Sequence, residues 1–106
     1  MKVLFDQGTP VPLRRFLVGH AVSTAYELGW ASLTNGDFLK AADGGGFEAV
    51  ITTDRNIRHQ QNLAGKRLAI LVLPTTDWSK IRLHAARVTA ALGGLRPGEI
   101  IDLSFE

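Results

Sequence analysis

The chain of 106 residues contains no cysteine. Disulfides, thiolate metal sites and cysteine nucleophiles are therefore excluded, and the composition suits a reducing compartment. Long hydrophobic runs are also missing. No apolar stretch approaches the ~20 residues that a membrane-spanning helix needs. The N-terminus, MKVLFDQG, has neither the apolar core nor the cleavage site of a signal peptide. A cytoplasmic protein with no membrane attachment is the expectation. Neither sign of charge dominates: 12 Lys and Arg against 10 Asp and Glu leave a net +2, with a pI of about 9.4. That mildly basic balance permits an anionic partner without demanding one. His20 and His84 stand in apolar surroundings and show no zinc-ligand spacing. Gly44–Gly46 is not followed by the Gly-Lys-Ser/Thr of a phosphate loop, and reads as a helix stop. With no repeat, low-complexity tract or linker, residues 1–106 are expected to form one domain.

What is present is an alternation of short apolar runs and amphipathic segments. KVLF (2–5), the start of HAVSTAYELG (20–29), FEAVIT (47–52), KRLAILVL (66–73) and EIIDLS (99–104) read as strands. Within KRLAILVL the run at 68–73 is continuously apolar, which suits a strand buried on both faces. Between the strands, VPLRRFL (11–17), DFLKAAD (37–43), DRNIRHQQNLA (54–64) and TDWSKIRLHAARVTAAL (76–92) read as helices, the last being the longest. Strand alternating with helix predicts a three-layer α/β/α sandwich around a central, mostly parallel sheet.

Two strands in this pattern end at an aspartate. KVLF runs into Asp6, and the third strand runs through Thr52 and Thr53 into Asp54. In a parallel sheet all C-terminal strand ends lie on one edge, and ligands bind there, where strand order reverses. Two carboxylates brought together repel. A hard divalent cation such as Mg²⁺ or Mn²⁺, held by one or two carboxylates with water and phosphate, relieves that repulsion and supplies the charge stabilisation that phosphodiester hydrolysis needs. Each aspartate alone reads equally well as a turn or helix cap. Asp37, at the start of its helix, is the candidate third acid, and a helix N-cap is its alternative. Glu27 is a further acid that this crevice would admit. Asp77 reads as a helix cap.

LFDQGTPVPLRRFL, NGDFLKAADGGGFEAVITTDRNI and LAILVL together resemble PIN-like proteins of the DUF5615 type, relatives of the PIN-domain ribonucleases and of the Mut7-C group. The likeness spans roughly residues 2–92 and rests on the order LFD…P, acid-led helix, TTD. It implies a PIN-like α/β/α fold, a cluster of acids around Mg²⁺ or Mn²⁺, and endoribonuclease cleavage of single-stranded RNA. It further implies the toxin of a toxin–antitoxin pair, with a small antitoxin protein as partner. Carried over by position, Asp6 is the first acid, Asp37 the helical acid and Asp54 the acid of the TTD element. Asn56 stands where related sequences have a second acid, and it offers the metal only a neutral oxygen.

Arg55, Arg58 and His59 share one face of a helix at 54–64, and with Arg14 they are the candidate RNA-backbone contacts. Trp30, Tyr26 and Trp78 read as core aromatics or as platforms for unpaired bases. The small residues of the last helix, Ala85, Ala86, Ala90 and Ala91, suit packing on the sheet or on a second copy in a homodimer. Two further readings compete with the nuclease. One is a catalytically weak or inactive PIN-like module acting through a protein partner, which Asn56 favours. The other is a phosphorelay receiver, which would need a second acid near Asp6 and a lysine at the end of the last strand; neither is present.

Overall fold

The structure is a computed structural model that describes residues 1–57 and 67–106. Five strands form one sheet: β1 (Lys2–Phe5), β2 (Ala21–Thr24), β3 (Ala49–Thr52), β4 (Ala69–Val72) and β5 (Ile100–Asp102). All four pairings are parallel, and the order across the sheet is β2-β1-β3-β4-β5. Order therefore reverses between β1 and β3, which lie side by side with Phe5 opposite Ile51.

Alternation of side chains across the pleat divides the core in two. Leu4, Val50, Ile70 and Val72 point to one face, where they pack with Phe38, Leu39 and Ala42 of helix α1 (Asn35–Gly44). Val3, Phe5, Ala49, Ile51 and Leu71 point to the other. There they meet Leu13 and Leu17 around a 3₁₀ segment (Val11–Phe16), Ile81 of α2 (Trp78–Leu83), and Val88 and Leu92 of α3 (Ala85–Gly93). This is the three-layer α/β/α sandwich expected. The central strands β3 and β4 are buried at every residue, whereas the edge strands β2 and β5 are partly exposed. Continuous apolar runs in the middle and mixed ones at the edges follow from that placement.

Two helical segments differ from the sequence expectation. Residues 11–16 are wound as a 3₁₀ turn, and Arg14 and Arg15 lie in its last turn. The helix expected over 76–92 is two helices. His84, at φ −117° and ψ 21°, ends α2 and starts α3, and its ring stacks on Phe105 at 4.5 Å. Ile81 and Val88, on either side of the bend, pack in the same core cluster. Of the helix expected over 54–64, residues 58–64 lie outside the described residues. Among the described residues no helix is long and apolar enough to cross a membrane.

The outer rim of β2 is occupied by side chains. Arg14 Nη1 donates to Val22 O at a long 3.4 Å and pairs with Glu27 at 3.2 Å, while Thr24 N donates to Glu27 Oε1 at 2.9 Å. The Arg14 guanidinium, and then the Thr24 N–H, hold the Glu27 carboxyl below its ordinary range.

Candidate functional site

The strand tips bring Asp6 and Asp54 to one crevice. The β1–β3 ladder runs one bond past the end of β1, with Asp6 N donating to Ile51 O at 3.1 Å. Thr52, the last residue of β3, is fully buried, and its hydroxyl donates to Asp6 Oδ2. The same hydroxyl oxygen accepts from Asp54 N at 3.0 Å. One threonine thus ties the two acidic positions together. The hydroxyl of Thr9, also buried, lies 2.6 Å from Asp6 Oδ1 and 2.9 Å from Ile51 O. It has one proton to give, and the shorter, charge-assisted contact to the carboxylate is the stronger. Gly8 makes this approach of the β1 loop to β3 feasible, since a Cβ there would stand 2.5 Å from Thr53 Oγ1.

Asp54 serves two purposes at once. Oδ1 accepts from Asn56 N at 2.9 Å, the local turn that the capping alternative anticipates. Oδ2 accepts from Asn35 Nδ2 at 2.8 Å, a partner from the first turn of α1. Among the described residues, each carboxylate oxygen of Asp6 and Asp54 has one hydrogen-bond donor, and a carboxylate oxygen has two lone pairs. This donor set fits the sparse mode of Mg²⁺ or Mn²⁺ binding, in which one or two carboxylates are supplemented by water and phosphate. Among the described residues, no group of three or more His, Cys, Asp or Glu side chains is placed to share a metal.

The other sequence candidates lie as follows. Asp37 is exposed in the first turn of α1, where its N–H donates to Thr34 Oγ1 at 3.3 Å. It is not the N-cap, which is Thr34, and it does not line the cavity beside Asp6. Asn56 meets Asp54 through its backbone N–H. Arg55 reaches away from the crevice and donates to Pro74 O at 2.7 Å. Arg58 and His59 lie outside the described residues. Arg14 is paired with Glu27 at the β2 rim, which also takes up Glu27. Asp77 is the helix cap expected: it accepts from Ser79 N at 2.9 Å at the start of α2. Tyr26 is exposed, and Trp78 packs at 5.8 Å from Phe16.

The sequence reading passed over Asn35, Thr9 and Thr52 as site residues. For Asn35 a signal existed. Thr34 followed three residues later by Asp37 is the spacing of an N-cap and its first turn, so the helix begins at Asn35 rather than at Asp37.

Beside Asp6 the crevice opens into a cavity of about 130 Å³ whose lining includes Gln7, Trp30, Asn35, Phe38 and Ile57. A larger cavity of about 570 Å³ lies over the tips of β4 and β5. Arg55 and Lys80 line it together with Asp102 and Glu106, so its formal charges cancel.

Comparison of the chain with protein-family models, with curated proteins and with solved structures finds no match.

Proposed function

We propose that the crevice between the tips of β1 and β3 is the active site of a Mg²⁺- or Mn²⁺-dependent endoribonuclease of the PIN-like type, hydrolysing single-stranded RNA. The observation that carries the proposal is the Thr52 hydroxyl, which joins Asp6 to Asp54 at the topological switch point. When bound, such a cation polarises a phosphate oxygen and activates a water molecule for attack on phosphorus. The chain's own residues supply the frame. Thr9 and Thr52 fix both oxygens of Asp6, and Asn35 with the Asn56 N–H fixes both oxygens of Asp54. Two carboxylates so fixed lose little freedom when a cation arrives, which is how pre-organisation raises affinity. On the same reading the biological role is that of a toxin held in check by a small antitoxin protein.

A second reading is favoured by a specific observation. Asp54 accepts from Asn56 N two residues on and Asp6 from the Thr9 hydroxyl three residues on, so each carboxylate is engaged in its own local turn. A PIN-like module with weak or no catalysis, acting through a protein partner, would keep this frame for folding alone. The two readings separate when purified chain is incubated with mixed single-stranded RNA in Mn²⁺ or in EDTA, alongside Asp6→Asn and Asp54→Asn. The nuclease reading expects cleavage in Mn²⁺ only, lost in both variants. Equal cleavage by wild type and variants, or none in any sample, removes it.

A further inference from the structure

We propose that the cavity beside Asp6 is a pocket for a single pyrimidine base. The choice of RNA as ligand rests on the nuclease reading; the shape and chemistry of the pocket are independent of it. Its volume is about 130 Å³, and a dry cavity of ~150 Å³ takes up one benzene ring. One six-membered ring fills such a space, whereas the fused rings of a purine overrun it. The cavity's accessible lining is mainly polar, which suits recognition by hydrogen bonds to a base edge. Asp6, Gln7 and Asn35 supply the hydrogen-bonding groups, and the half-buried Trp30 supplies an aromatic wall.

Trp30 is held in place before any ligand arrives. Its backbone N–H donates to Ala25 O at 2.8 Å. Its ring packs against the α1-side core and meets Phe47 edge-on, at 6.2 Å and 77°. A ring locked in this way pays little entropy to stack on a base. Phe38 and Ile57 are almost wholly buried and belong to the same core, so the floor of the pocket is continuous with it. Because Asp6 belongs to both the cavity lining and the strand-tip crevice, a base seated here leaves its own phosphate next to Asp6 and Asp54. The pocket thereby assigns a sequence preference to the crevice: RNA is taken with a pyrimidine beside the reacting phosphate.

The test is a titration of the full ¹⁵N-labelled chain, in EDTA, with uridine, cytidine, adenosine and guanosine 5′-monophosphates. The Trp30 indole N–H signal, assigned from a Trp30→Phe spectrum, reports on the pocket, and the Trp78 indole serves as internal control. Saturable shifts at Trp30 with both pyrimidine nucleotides are expected, with affinity about tenfold or more above that for the purines and a silent Trp78. Ala31→Trp, which fills the exposed mouth of the cavity without touching the core, is expected to abolish them. Equal shifts with purines, a silent Trp30 with all four nucleotides, or shifts that survive in Ala31→Trp overturn the pocket. No cation is present in this titration, so its failure is distinct from a failure of Mn²⁺-dependent cleavage. Pyrimidine binding with no cleavage would retain the pocket and remove only the nuclease reading.

Discussion

Thr52 is the residue on which the crevice turns. Its side chain has no exposure, and it gives one hydrogen bond and receives another, both within the pair of acidic positions. Thr52→Val keeps the volume and β-branching but leaves Asp6 Oδ2 without its donor and Asp54 N without its acceptor. Unmet polar groups of this kind cost ~1–3 kcal/mol, so a loss of that size is expected in urea denaturation, with weaker Mn²⁺ binding alongside it. An unchanged unfolding midpoint would show that the bridge contributes nothing. At this scale the sequence was partly legible. Asp6 and Asp54 announce themselves because apolar runs stop at them. Their partners do not, since Thr52 meets Asp6 from the neighbouring strand and Asn35 meets Asp54 from α1, while the local partner Thr9 is placed against Ile51 O of a strand distant along the chain. A threonine at a strand end looks like ordinary β propensity until its neighbour is known.

Helix ends hold the acids that the sequence left open. Thr34, not Asp37, caps α1, and Thr34→Ala is expected to cost about 1 kcal/mol, read as a lower thermal midpoint. If Asn35 moves with the frayed turn, weaker binding of nucleotide at Trp30 should accompany it. At α2, the Ser79 hydroxyl, and then the Ser79 N–H, hold the Asp77 carboxyl below its ordinary value of 3.8. A lowered folded-state value means that this contribution is complete above the unfolded value and is lost as pH falls through the folded one. Ser79→Ala is therefore expected to lower stability at neutral pH, with the difference from wild type shrinking as pH falls through the folded value, as followed by thermal melts from neutral to acid pH. A parallel drop at every pH would contradict this. Element type was legible from periodicity in β1, α1, β3, β4 and β5. The break at His84 was not, because 76–92 keeps one apolar stripe on both sides of it. Ile81 and Val88 reach the same core in either case, and the periodic pattern does not register a bend that preserves its face.

Taken whole, the molecule is a sheet whose two faces are sealed by different means, α1 on one and the 3₁₀ segment with α2 and α3 on the other. Ile70 is fully buried at the centre of the α1-side cluster, and Ile70→Ala is expected to cost ~2–5 kcal/mol without moving the crevice. Its residual affinity for pyrimidine nucleotides, measured below its melting temperature, should match that of the wild type. The layer architecture was legible because alternation of strand and helix leaves few arrangements open, whereas the strand order that sets β1 beside β3 was not, because alternation is compatible with several orders. The sheet also ends differently on its two sides. Along β2 an arginine from the 3₁₀ segment and a glutamate from the following turn stand where another strand would attach. The double change Arg14→Ala with Glu27→Ala is expected to leave the fold standing but to let chains zip together side by side, visible as light scattering that grows with concentration. The ion pair at this rim then acts as a guard against self-templated polymerisation, a task assigned to two side chains rather than to a covering helix.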